Sequence, residues 1–207
     1  DPSANNEIRY VTIASTGNGV DFGNLTVARF GPAACSSPTR GIFAAGGAPG
    51  AQNVIDFVEI ATTGNAVDFG DLTTATISPL GGTSSSTIGV FAGGGAPGDV
   101  TTISRVTMAS QGNGNDYGDL TVARRQSAAL SNSVKGVFAG GYNGDDDKYN
   151  TIDSISISNG GTATDFGDLQ TATFGKQPAS DSHGGLNDGY QGTRIAPIPQ
   201  GGGVGQR

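Results

Sequence analysis

Asp21-Phe22-Gly23-Asn24-Leu25-Thr26 recurs three more times along this chain of 207 residues. It returns as Asp68-Phe69-Gly70-Asp71-Leu72-Thr73, as Asp116-Tyr117-Gly118-Asp119-Leu120-Thr121 and as Asp165-Phe166-Gly167-Asp168-Leu169-Gln170. The copies are spaced by 68−21=47, 116−68=48 and 165−116=49 residues. A second landmark runs between them: Gly41-Ile42-Phe43-Ala44-Ala45-Gly46-Gly47, Gly89-Val90-Phe91-Ala92-Gly93-Gly94 and Gly136-Val137-Phe138-Ala139-Gly140-Gly141. A fixed period in the forties marks a repeat architecture, in which each unit buries its apolar face against its neighbours.

Within one unit the pattern predicts four short antiparallel strands, a to d. Gly31 to Ser36 is small and apolar, and Arg40 to Gly47 follows after a Ser-Pro-Thr turn. Val54-Ile55-Asp56-Phe57-Val58-Glu59-Ile60-Ala61 alternates β-branched and aromatic residues, a strand signature. A Thr-Thr-Gly-Asn turn then leads into Asp68-Phe69-Gly70. No segment holds a 3.6-residue period, so the fold class predicted is all-β.

Four-stranded units of about 40–50 residues are the blades of β-propellers. The chain resembles the kelch repeat on two stretches. Arg29-Phe30-Gly31-Pro32-Ala33-Ala34 through Gly46-Gly47 matches its first half, and Phe57-Val58-Glu59-Ile60 through Phe69-Gly70-Asp71-Leu72 its second. Kelch repeats usually carry Trp in the last strand; Phe22, Phe69, Tyr117 and Phe166 stand there instead. The resemblance implies a β-propeller over residues 8–192, preceded by a polar arm (1–7) and followed by a Pro/Gly-rich tail (193–207). The chain starts in mid-unit, with strands c and d at Ile8–Ala14 and Asp21–Val27. It ends in mid-unit too: Gly175–Ser180 fits strand a, and Gly184–Tyr190 fits strand b, 184−136=48 residues after Gly136. Pairing the two halves predicts four blades, the last completed by both chain ends and free of exposed sheet edges. The other expectation is an arc that closes with further sequence or other chains.

Composition excludes several function classes. The net charge is −7 and no basic run occurs, so nucleic acid is not an expected partner. No apolar stretch approaches the roughly 20 residues of a membrane span. Glycine, at 36 residues, falls mostly at matching places in the repeats, as turn chemistry would. The single cysteine, Cys35, cannot form an intrachain disulfide and is expected to pack as a small apolar residue. The chain begins at Asp1 rather than Met, which fits a processed chain or a portion of a longer one.

The candidate chemistry is sparse. The Asp-Phe-Gly triplets lack the glycine-rich loop and lysine strand of a kinase. Asp21, Asp68, Asp116 and Asp165 are expected to pin a turn through nearby backbone N–H groups, with Phe22, Phe69, Tyr117 and Phe166 as core aromatics. His183 is the only histidine, which argues against copper or histidine-rich zinc sites. Asp145-Asp146-Asp147 is either a solvated acidic loop or a site for a hard cation such as Ca²⁺; no other cofactor is expected. Without a nucleophile elbow, phosphate loop or placed carboxylate pair, an enzyme is not expected. In a four-strand meander the b–c and d–a connections share one face. That face would carry Arg29, Arg124, Arg125, Tyr142, Tyr149 and Lys176, either as solvated loop residues or as a surface for sugars or a protein.

A second resemblance lies in the wording of the repeats. Ile55-Asp56 through Asp68-Phe69-Gly70-Asp71-Leu72-Thr73 to Thr76 is similar to repeats in virion structural and tail-fibre proteins of tailed phages of marine cyanobacteria. Asp181-Ser182-His183-Gly184-Gly185-Leu186 is similar to the closing unit of such proteins. This implies a non-enzymatic module on the virion surface, with other virion proteins as partners and a homo-oligomer as one form. Its role would be attachment to a host-surface glycan or protein, or decoration without a host ligand; a secreted polysaccharide-active enzyme is the remote third reading.

Overall fold

A computed structural model describes residues 4–48, 50–77, 81–95, 98–176 and 178 of the chain. Those residues form fourteen strands and no helix. Strands β1 (Asn5–Tyr10) and β2 (Val20–Arg29) make a two-stranded sheet. The first four-stranded sheet is β3 (Ala33–Ser36), β4 (Arg40–Ala44), β5 (Gln52–Glu59) and β6 (Val67–Thr76). The second is β7 (Gly81–Ser84), β8 (Ile88–Ala92), β9 (Thr102–Thr107) and β10 (Asn115–Asp119). The third is β11 (Ala128–Ser131), β12 (Lys135–Ala139), β13 (Thr151–Ser156) and β14 (Thr164–Asp168). Each is an antiparallel meander in chain order, so the unit read from the sequence is the unit that folds. Strand β1 starts at Asn5, inside the stretch expected to be an arm. The expected tail, His183 and the Gly184–Tyr190 strand lie outside the described residues.

The apolar cores lie between sheets. Leu25, Val58 and Ala66, with Phe22 and Phe43 against them, join the two-stranded sheet to the first four-stranded one. Ile42, Ile55, Phe57 and Phe69 meet Phe91, Val106 and Met108 across the next gap. Val90, Ile103 and Leu120 meet Phe138, Ile155 and Ile157 across the third. Strand c of the first two four-stranded sheets therefore shows apolar residues on both faces, because each of those sheets is packed on both sides. The innermost strands are tied by a serine ladder: Ser84 Oγ donates to Ser36 O and Ser131 Oγ to Ser84 O, each at 2.8 Å.

The Asp-Phe-Gly triplet builds a β-bulge in all four copies. Ile55 faces Gly70 while Asp56 faces Asp68, leaving Phe69 as the extra residue. The same shift sets apart Phe22, Tyr117 and Phe166. The aspartate accepts a hydrogen bond from the glycine N–H two residues on, at 3.1 Å for Gly23, Gly70 and Gly118 and 2.8 Å for Gly167. The glycines have φ of +147°, +141°, +121° and +135°, a region that disfavours any side chain. The aspartate thus pins a bulge inside a strand rather than a free turn. Phe69 is 2 % exposed, as a core aromatic should be, whereas Phe166 is 57 % exposed, which corrects the expectation for that copy.

Candidate functional site

Two arginines expected on the recognition face are buried instead. Arg29 Nη2 lies 3.0 Å from Asp56 Oδ2, and Arg124 Nη2 lies 3.0 Å from Asp153 Oδ2; all four side chains are fully enclosed. Both guanidinium groups also donate to a backbone carbonyl, Phe43 O and Phe138 O, at 3.2 Å. Thr26 and Thr121 complete the arrangement, giving their N–H and Oγ1 protons to the same carboxylates at 2.6 to 3.1 Å. The first cluster bolts β2 to β5, and the second bolts the segment that follows β10 to β13. Burial pushes the pKa of both arginines down, and the facing aspartates oppose the shift. The middle junction does without charge: Thr73 Oγ1 and Ser104 Oγ are 2.6 Å apart, and Thr76 stands at the arginine position. Arg29 and Arg124 are therefore structural bolts, unavailable to a ligand.

Of the other expected residues, Arg125, Tyr142 and Tyr149 gather as a surface platform at the third sheet. Arg125 Nε sits 2.5 Å from Asp99 Oδ1, and this partner raises its pKa above the usual arginine value. The Asp99 carboxylate also accepts from Gly144 N at 2.6 Å, fixing the β12–β13 loop against the second sheet. The Arg125 guanidinium lies 5.5 Å from the Tyr142 ring centroid, and backbone bonds pair the two residues. Tyr142 in turn packs on Phe174 at 4.7 Å, with the Lys148 ammonium 5.5 Å from the Phe174 ring. Tyr149 is half-buried beneath the loop, its hydroxyl 3.3 Å from Asn143 Nδ2. Asp99, Lys148 and Phe174 were not singled out from the sequence. Phe174 carried a signal: it stands 174−125=49 residues after Arg125, at the position where Phe30 and Ile77 stand in earlier units.

The acidic triplet has its own geometry. Asn143 Oδ1 accepts from Asp145 N and Asp147 N at 3.0 and 2.9 Å, closing a tight turn with Asp146 at φ +64°. All three aspartates are exposed, the Asp147 carboxylate accepts from Asn143 Nδ2 at 3.3 Å, and among the described residues no three His, Cys, Asp or Glu side chains converge to hold a metal. Of the two expectations for Asp145, Asp146 and Asp147, the exposed, Asn143-pinned turn fits the solvated acidic loop.

Lys176 lies apart from this platform, exposed at a cavity of about 590 Å³. That cavity is framed by the starts of β3, β7 and β11 and by Gly175, Lys176 and Pro178. No family model matches the sequence, and no curated protein matches it.

Proposed function

We propose that this protein is a non-enzymatic β-propeller module of a tailed-phage particle that attaches to a host-surface glycan or protein. The observation that carries the reading is the Arg125–Tyr142–Phe174–Lys148 platform. It offers aromatic faces flanked by cations and anions on a braced loop, which suits sugar rings and polar partners. The kelch-like wording of the repeats supports the propeller. A closed ring of four sheets has two further supports. The cavity has three inner strands around it and Gly175, Lys176 and Pro178 at a fourth position. The serine ladder continues by spacing, 131−84=47 and 180−131=49, to Ser180, outside the described residues. In that ring the C-terminal a and b strands complete β1 and β2 into the fourth sheet. Other virion proteins are the assembly partners in this reading, and the loop face points outward from the particle.

Replacing residues 142–149 by a short Gly-Ser turn tests the reading. Soluble protein should bind host cells, and the replacement should abolish binding while the far-ultraviolet spectrum keeps its β signature. Binding that survives the replacement would move attachment elsewhere. Native protein that binds no host cell but coats the particle in regular copies would favour decoration.

A further inference from the structure

Every junction between consecutive sheets uses the same dock. At the first, Gly64 N donates to Phe22 O at 2.7 Å, Ala66 N to Asn24 O at 2.8 Å, and Asn24 N to Asn65 Oδ1 at 3.0 Å. At the second, Gly112 N reaches Phe69 O and Gly114 N reaches Asp71 O, each at 2.7 Å, and Asp71 N donates to Asn113 Oδ1 at 3.0 Å. At the third, Gly161 N and Ala163 N reach Tyr117 O and Asp119 O at 2.8 and 2.7 Å. The c–d loop of one sheet thus lies on the bulge of the sheet before it. Only glycine fits beneath it: a Cβ on Gly23, Gly70 or Gly118 would stand 2.1, 2.6 or 2.2 Å from the loop.

The fourth bulge is built, and no described residue fills it. Gly167 has the same φ, +135°, and the same aspartate bond, yet open space lies where its Cβ would be. Among the described residues no N–H from another sheet reaches Phe166 O or Asp168 O. The described residues also hold one loop of the docking type that makes no such bonds. Gly17-Asn18-Gly19 stands 64−17=47 residues before Gly64-Asn65-Ala66 and shares the Gly-Asn-Gly of the second junction. It is exposed along its whole length, whereas Ala66 and Ala163 at the end of docked loops are buried. Both ends of the array are apolar as well as open: Phe166 on one side, Val11 and Ile13 (97 % exposed) on the other.

We propose that the Gly17-Asn18-Gly19 loop docks on the Phe166-Gly167-Asp168 bulge of the same chain. It supplies the fourth copy of the dock and latches the array into a ring. The same-chain source follows from the fourth position at the cavity, which Gly175, Lys176 and Pro178 already occupy. The inference rests on the ring closure proposed above and not on attachment. Gly17 N and Gly19 N would donate to Phe166 O and Asp168 O, and Asp168 N to Asn18 Oδ1, covering the Phe166 ring.

The test is a pair of cysteines in full-length protein carrying Cys35→Ala. Asn24→Cys with Asn65→Cys is the control, because those side chains touch at the first junction (Nδ2 to Oδ1 3.4 Å). Asn18→Cys with Asp168→Cys occupies the equivalent positions at the fourth. Under mild oxidation at low protein concentration, both pairs should close within monomers, with the 18–168 disulfide found by peptide mass analysis. Disulfide-linked dimers or ladders would show that a second copy fills the bulge and would overturn the latch. No 18–168 disulfide while the control closes would overturn it too. Adding Gly167→Ala should cut the 18–168 yield about fivefold to tenfold, the loss of roughly one backbone hydrogen bond; an undiminished yield contradicts the dock. Host binding is scored separately, so a failed latch with intact binding leaves attachment standing.

Discussion

Asp153 accepts three hydrogen bonds at once, from Thr121 N, Thr121 Oγ1 and Arg124 Nη2, with no solvent in reach. Removing one member of such a pair strands a buried charge, which costs more than the pair itself is worth. Asp153→Ala should therefore lower unfolding free energy by about 3–5 kcal/mol in urea titration. The double variant Arg124→Thr with Asp153→Ser rebuilds the chemistry of the middle junction, where Thr76 and Ser104 stand, and should recover most of that loss. Among the described residues neither Arg124 Nε nor Thr76 Oγ1 of the neutral junction has a hydrogen-bond partner, but leaving a donor of a buried charged group unmet costs more than leaving a hydroxyl unmet. Cys35 makes a second case. Burial pushes its thiol up to about 12 from an ordinary 9.0, with Ser84 opposing the shift. The folded protein should react with thiol reagents at pH 8 far more slowly than the unfolded chain. The sign of the linkage is fixed by the raised value. Below about pH 9 both states keep the proton, and from there towards 12 only the unfolded chain releases it, so stability falls. A urea midpoint that held constant across that window would contradict the shift.

At the scale of the element, the bulge does two jobs that a regular strand could not. It turns an aromatic toward the next sheet, and it leaves two carbonyls facing a loop whose N–H groups they accept. Gly118→Ala places a Cβ 2.2 Å from Gly161 O at φ +121°. The left-handed strain and the loss of two junction bonds together should cost about 3 kcal/mol. Urea unfolding measures it, and a loss under about 1 kcal/mol would mean the loop simply shifts. The strands were legible because alternation, turn residues and the recurring Asp-Phe-Gly mark their ends. The bulge was not, since a turn and a bulge call for the same aspartate and glycine. Which one forms depends on where the neighbouring strand pairs.

For the whole molecule, cohesion runs from each sheet to the next through cores that no single unit possesses. Stability in such an array is a sum of units and junctions, and its ends are its weak points. The closed-ring reading therefore predicts that a chain ending at Lys176 melts about 10 °C lower than the full chain, from the loss of a few kcal/mol of sheet pairing. It should also scatter more light on standing, because the β1 edge is left unpaired. Equal melting temperatures would argue that residues 177–207 complete no sheet.

The 47–49-residue period, the strand order within a unit and the interruption of the array at both ends were set by sequence alone, because they follow from local pattern and turn chemistry. The fate of the arginines was decided by the tertiary structure. Arg29 and Arg124 read as surface cations until strand c of the next sheet brings Asp56 and Asp153 against them, 56−29=27 and 153−124=29 residues away. The trace was present, since Thr76 and Ser104 change together at the one neutral junction, but local propensity has no means of weighing a pair that far apart. Phe166 follows the same logic in reverse. Its triplet matches Phe69's, and only the neighbour beyond β14 determines whether the ring is core or surface. Burial belongs to the arrangement of sheets, and a repeated sequence specifies the sheet before it specifies what lies next to it.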